Sequence, residues 1–272
     1  MARHTALVLS LSLALSAWSP GAALSDETGD GEKRAVKVIV IDPGHGGEDS
    51  GATGATGVKE KDVTLGVAKA LKKALTEKLD IKVLLTRDDD RYVDLEERAD
   101  IANEAGADLF ISIHANAAYR RGANGVETYF LSFEASDDDA RKTAAFENKV
   151  VRLDGKAEDA PEDDLKSILW DLVQTKAHHQ SSELAEFIHV SLQKTMGGED
   201  RGVKQAPFRV LVGATMPAVL VEVGFISNPR EERNLSGKKG RNRIASAISK
   251  GVAEFEEALR GSAGYVKLGE AR

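Results

Sequence analysis

The chain has 272 residues, 42% of them hydrophobic and 30% charged, which suits one ordinary domain with a sizeable core plus extensions. A formal net charge of −7 gives no overall basic field to draw it to nucleic acid or anionic lipid. With no cysteine, no disulfide staples the fold, and a metal ion would have only His, Asp and Glu as ligands.

The first residues read as a secretory signal. Arg3 and His4 precede an apolar stretch from Ala6 to Trp18, and the small residues Pro20 to Ala23 follow. The stretch is short for a membrane anchor, since a spanning helix needs about 20 apolar residues. Residues 1–23 are therefore expected to be removed, leaving a periplasmic or secreted protein with no membrane span after cleavage. Residues 24–35 are polar and Gly-containing, and read as a linker.

From Val36 the pattern becomes that of a folded domain, expected to run over residues 36–260, with a tail at 261–272. VKVIVID (36–42) is a β-branched run suited to a buried strand. A Gly-rich loop follows at 44–57. Asp62 is expected to open a helix with Val67, Leu71, Leu75 and Leu79 on its core face. IKVLLT (81–86) reads as a strand, Leu95 to Ala105 as a helix, and DLFISIH (108–114) and GVETYFL (125–131) as strands. FRVLV (208–212) and AVLVEV (218–223) are two further strand candidates. A closing helix is expected from about Asn242 to Leu259, with Ile244, Ile248, Val252 and Phe255 on one side. Helices alternating with continuous apolar runs indicate an α/β fold, with a mostly parallel sheet covered on both faces.

Between Glu134 and Met196 the strand rhythm stops, and the segment reads as a helical insert. Leu165, Ile168, Leu169, Leu172 and Val173 fit one helix face; Leu184, Phe187, Ile188 and Leu192 fit another, ended by Gly197 and Gly198.

Ligands in such folds sit beyond the carboxyl ends of the strands. His45 and His114 lie there, and Glu222 ends a third run. Glu60 can join the histidines, because a His, Glu, His set with an open position is a known catalytic zinc arrangement. Taken alone, Glu60 reads equally as a helix-start carboxylate favoured by the helix dipole. Glu222 lies inside an apolar strand, where a carboxylate is costly without a partner or a task. It is either half of a buried ion pair with Arg87 or Arg98, or a general base beside a metal-activated water. His178 and His179 read as solvated, and His189 as a surface or boundary residue.

The segments VIVIDPGHGGEDSGA (38–52), GVKEKDVTL (57–65), LLTRDDDRYVDLEERADIAN (84–103), FISIHANA (110–117) and AVLVEVGFISNPREERNL (218–235) carry a resemblance. With them the chain resembles the zinc-dependent N-acetylmuramoyl-L-alanine amidases of the amidase-3 family, which cut peptidoglycan. The resemblance implies one Zn2+ held by His45, Glu60 and His114, a catalytic Glu222, and a six-stranded sheet flanked by helices. The helical insert at 134–196 resembles the regulatory insert of the cell-division amidases in that family. It implies that Glu147, in AFENKVV, plugs the zinc's open position until a LytM-type activator docks on the insert; otherwise Glu147 is a solvated helix residue. Asn116 departs from the pattern, since several cell-division members carry Asp two residues after the second zinc histidine.

Two rivals follow from the same residues: a zinc peptidase acting within the stem peptide, and a wall-binding module with a degenerate site.

Overall fold

The computed structural model describes residues 36–79, 81–118, 122–151, 157–158 and 176–269. The expected signal segment, the linker and the 165–173 helix lie outside them.

A six-stranded sheet forms the centre, flanked by six helices among the described residues. Its strands are β1 (Val38–Pro43), β2 (Lys82–Leu85), β3 (Leu109–Asn116), β4 (Val126–Leu131), β7 (Asp200–Ala206) and β8 (Ala218–Phe225). A separate two-stranded hairpin pairs β5 (Val150–Val151) with β6 (Ala157–Glu158). The helices are α1 (Glu60–Leu79), α2 (Leu95–Glu104), α3 (Asp138–Glu147), α4 (Lys176–Met196), α5 (Pro229–Ser236) and α6 (Lys238–Gly269). No helix among the described residues is long and apolar enough to cross a membrane.

The strand order is β2-β1-β3-β8-β4-β7. The pairs β1–β2, β1–β3, β3–β8 and β4–β7 are parallel, and β4–β8 alone is antiparallel. The carboxyl ends of β1, β3 and β8 therefore meet the amino ends of β4 and β7 along one edge.

Period-two alternation divides the strand side chains between two cores. Ile39, Ile41, Ile111, Ile113, Val219 and Val221 face α1, α4 and α6, whose contributions include Leu71, Leu184, Ile188, Ile248 and Phe255. Val40, Phe110, Tyr129 and Leu220 face the other way, toward Ala102 of α2 and Ala140 and Ala144 of α3. Both β3 and β8 are buried along their whole length, which is why they read as unbroken apolar runs.

Four expectations are corrected. FRVLV is not a strand: Arg209–Leu211 is a turn of 3-10 helix, and Val210 and Leu211 are buried beneath the sheet. The sixth strand is instead the polar DRGVKQA, an edge strand paired only with β4, so it needs no apolar run. The 134–196 segment is not all-helical, because the β5–β6 hairpin interrupts it. Its last helix, α4, is a core element, with Leu184, Ala185, Ile188 and Leu192 fully buried. The closing helix is longer than its stripe indicated and runs on to Gly269 through the expected tail. An additional short helix, α5, is capped by Asn228, whose side chain accepts from Arg230 N and Glu231 N.

Candidate metal centre

Buried polar contacts hold the loop after β1 in place. Asp42, fully buried, accepts from Thr86 Oγ1 (2.6 Å), Ser112 Oγ (2.7 Å) and Arg98 Nη1 (2.7 Å). Arg98 also donates to the carbonyls of Pro43 (2.9 Å) and His45 (3.1 Å). Arg87 donates to the carbonyls of Pro43 (3.0 Å), Gly44 (2.8 Å) and Lys61 (3.0 Å). Two buried guanidinium groups thus hold this loop, and Arg87 also ties it to the first turn of α1. The expected alternative for Glu222 is excluded by the same contacts, since Arg98 is committed to Asp42 and Arg87 to backbone carbonyls.

Within that frame His45 has φ +60°, the one non-glycine residue with positive φ among the described residues. Such a conformation in a β-carbon residue is held only by its surroundings, and it aims the imidazole inward. Gly44 and Gly51 make room: a Cβ on Gly44 would lie 2.4 Å from His114 Nε2, and one on Gly51 2.6 Å from both Glu60 Oε2 and His45 Cδ2.

His45, Glu60, His114 and Glu147 come together, with one ligand atom from each lying within 4.8 Å of all the others. All four are buried. His45 Nε2 lies 3.2 Å from Glu60 Oε2 and 3.1 Å from Glu147 Oε2. His114 Nδ1 lies 3.3 Å from Glu60 Oε1 and 2.8 Å from Glu147 Oε2. Yet His45 Nε2, His114 Nδ1 and Glu147 Oε2 have no hydrogen-bond partner among the described residues. Buried polar atoms that converge without bonding one another need a common partner. Two imidazole nitrogens with carboxylate oxygens suit a divalent ion such as zinc.

The outer contacts match that reading. His45 Nδ1 donates to Asp49 Oδ2 at 2.8 Å, which leaves the lone pair on Nε2, facing the cluster. Glu60 accepts from Ala52 N (2.8 Å) and Ala115 N (2.9 Å), so its carboxylate is fixed from two sides. Burial disfavours charge on both imidazoles, but the carboxylates outweigh it. Glu60 and Glu147 lift His45 well above its ordinary value, and Glu147 foremost lifts His114 to about 10. The cluster thus favours bound positive charge, which a metal ion supplies in place of protons.

Glu222 stands directly across from His114 on β3 and from Glu127 on β4. It is fully buried, and neither carboxylate oxygen has a hydrogen-bond partner among the described residues. Burial, and then the charge of Glu147, push its carboxyl well above the usual carboxylate range.

Glu127, Arg201 and Lys204 were not singled out from the sequence. Glu127 is buried and accepts from Asn116 Nδ2 (2.7 Å), Tyr129 Oη (2.8 Å), Arg201 Nε (2.7 Å) and Lys204 Nζ (3.1 Å). The signal was present: like Glu222, it is a carboxylate inside a run of strand-forming residues. Asn116 is turned to this network by its amide. A cavity of about 890 Å³ adjoins it, lined among others by Asn116, Phe146, Glu147, Arg201 and Phe225.

The remaining histidines lie apart. His179 is exposed, as expected. His178 instead bonds Leu131 O (3.0 Å) and packs on Phe130, and His189 is buried with Nε2 2.8 Å from Asp200 Oδ1, because α4 is a core helix rather than a surface one.

Residues 39–254 match the family model described as N-acetylmuramoyl-L-alanine amidase. The chain is 39% identical over 220 residues to N-acetylmuramoyl-L-alanine amidase AmiA of Escherichia coli, covering 80% of this chain and 76% of that protein. Among solved structures, an N-acetylmuramoyl-L-alanine amidase from Clostridium difficile superposes with a TM-score of 0.63 at 30% identity, covering 82% of this chain and 98% of that one. The CwlD amidase from Clostridioides difficile, solved in complex with the GerS lipoprotein, gives 0.62 at 25% identity, covering 82% and 99%.

Proposed function

The chain belongs to the N-acetylmuramoyl-L-alanine amidase family, and from that premise we propose that it is a zinc-dependent hydrolase of peptidoglycan. The bond cut is the amide between the lactyl group of N-acetylmuramic acid and L-alanine of the stem peptide. The observation that carries the reading is the convergence of His45 Nε2, His114 Nδ1 and the Glu60 carboxylate beside an unpaired, buried Glu222.

His45, Glu60 and His114 would hold the zinc. When bound, it supplies Lewis acidity for the scissile carbonyl and lowers the pKa of water. The protein's own part is proton movement. Glu222 takes a proton from the attacking water and delivers it to the departing alanine nitrogen, without which an amine leaves poorly. A raised carboxyl pKa suits a group that must hold a proton between these two events.

Glu147 enters the same cluster from the end of α3, its Oε2 3.1 Å from His45 Nε2 and 2.8 Å from His114 Nδ1, and we assign it the plug role: it would compete with a water or a carbonyl oxygen for a metal held there. The enzyme is then autoinhibited, and withdrawal of α3 activates it. An activator of the LytM type acting on the 134–196 segment would accomplish this, in cell-wall turnover and daughter-cell separation. Export through residues 1–23 would place the enzyme with its substrate.

The deciding experiment is mass spectrometry of products from digested sacculi. An amidase frees whole stem peptides beginning with L-alanine and leaves glycan strands intact. Cuts within the stem peptide, or binding with no product, would retire the reading.

A further inference from the structure

We infer that Glu127 is a positioning residue for the proposed reaction: it holds the Asn116 amide off Glu222, so that the Glu222 carboxylate stays free to carry a proton. The inference rests on the amidase reading above.

Two carboxylates stand side by side on one face of the sheet, in opposite surroundings. Glu222 on β8 pairs with His114 of β3 on one side and with Glu127 of β4 on the other. Directly paired residues point to the same face, so all three side chains share it. Glu127 is as buried as Glu222, at 1% and 0% exposure. Yet Glu127 Oε2 accepts from Asn116 Nδ2 (2.7 Å) and Tyr129 Oη (2.8 Å), and its Oε1 from Arg201 Nε (2.7 Å) and Lys204 Nζ (3.1 Å). Neither oxygen of Glu222 has a hydrogen-bond partner among the described residues. Four donors have gone to one carboxylate and none to its neighbour. Glu127 is therefore no second proton carrier, since both its oxygens are filled and two cations offset its charge.

Asn116 has to pass Glu222 to reach its partner. Strand β8 lies between β3 and β4, so Asn116 and Glu127 start two strand spacings apart, about 10 Å. Asn116 is two residues beyond His114 and shares its face; it pairs with Phe225 after a shift of register. The hydrogen bond to Glu127 thus closes over β8, between positions 222 and 225, on the face that carries Glu222. The backbone of Asn116 is fixed there, because its carbonyl accepts from Ile226 N (2.8 Å). A buried amide anchored in this way and deprived of its acceptor turns to the next one in reach. The unpaired Glu222 carboxylate is that acceptor. A donor seated on it would stabilise the charged form and would have to be displaced before a proton could be taken up.

The test measures kcat and KM on a soluble muramyl peptide, with metal content and melting temperature alongside. It uses whichever of the full chain and its Glu147→Ala variant turns over faster as the parent. Glu127→Met keeps the side-chain length and removes the acceptor. It should lower kcat by about 10–100-fold, the range of a hydrogen bond to a charged group, with a smaller change in KM. Glu127→Gln retains an acceptor oxygen and should keep more of kcat. The deciding arm adds Asn116→Ala to Glu127→Met: with the misdirected donor gone, kcat should rise again by at least about threefold. A merely structural tie would instead be weakened further by the second change. If Glu127→Met does not fold, Glu127→Asp takes its place. Its charge stays for Arg201 and Lys204 while the carboxylate draws back from Asn116, and Asn116→Ala should relieve the loss in the same way. An undiminished kcat, a loss confined to KM or matched by lost metal, or no relief from Asn116→Ala overturns the assignment and leaves the amidase reading standing. If the parent cuts neither the muramyl peptide nor intact sacculi, both fall.

Discussion

His114 and Glu222 face each other directly across two neighbouring parallel strands, both of which are buried from end to end. Their separation is therefore set by the hydrogen-bond ladder and not by a loop. A carboxylate mounted this way stays beside the buried His45, Glu60, His114 and Glu147 cluster whatever the surrounding loops do, as the proposed proton transfer requires.

Removing the carboxylate chemistry while keeping the shape is the direct check on Glu222. Glu222→Gln should keep the fold and the metal content but lose on the order of 10²–10⁴-fold in turnover. Dye release from labelled sacculi, with metal analysis alongside, measures both. Substantial remaining activity would take Glu222 out of the mechanism.

Glu147→Ala tests the plug. Basal hydrolysis should rise, within the roughly 5- to 150-fold range of typical allosteric couplings. An unchanged rate in a folded, metal-loaded variant argues that Glu147 is no inhibitor.

Asp49 orients His45 through the 2.8 Å contact to Nδ1. Asp49→Ala should weaken zinc binding about 10–100-fold, as is usual when such an orienting carboxylate is lost. Competition with a chromogenic chelator reads this directly. An unaltered affinity would mean that the backbone alone fixes the ring.

The Asp42–Arg98 pair predicts an acid limb to stability. Burial opposes charge on Asp42, but Arg98 first, then Thr86 and Ser112, hold its carboxyl below the ordinary value of 3.8. A carboxyl with a lowered folded-state pKa binds protons more weakly in the native state than in the unfolded one. Its stabilisation is therefore present above about pH 4 and disappears as pH falls through the lowered value. Asp42→Asn should cost about 3–5 kcal/mol at neutral pH, by stranding buried Arg98, and should flatten this acid limb. Urea titrations of both proteins between pH 2 and pH 7 would show it; parallel pH profiles would count against it.

Much of the site could be read from the sequence because burial forces the pattern. His45, His114 and Glu222 are polar residues at the ends of, or inside, runs otherwise made of Ile, Val, Leu and Phe, and few structural reasons allow that. Glu60 was ambiguous because a carboxylate at a helix start needs no task. Strand β7 was not legible, because an edge strand buries little and DRGVKQA has no apolar alternation. FRVLV misled for the opposite reason: its apolar residues are buried under the sheet without joining it. Arg201 and Lys204 were invisible, since a cation's value depends on which carboxylate the fold sets opposite it, and that pairing crosses 74 residues for Arg201 and 77 for Lys204.

The strand order has a consequence for when the enzyme can act. β8 is the last strand in chain order among the described residues, yet it lies in the middle of the sheet, between β3 and β4. Until residues 218–225 are in hand, the sheet is two unjoined halves: one carries His45 and His114, the other Glu127 and Arg201, and Glu222 is still missing. Such distant pairing is slow to form. A chain that lacks these residues cannot set Glu222 beside His114, so the cluster's surroundings are complete only once this strand has slotted in between its neighbours.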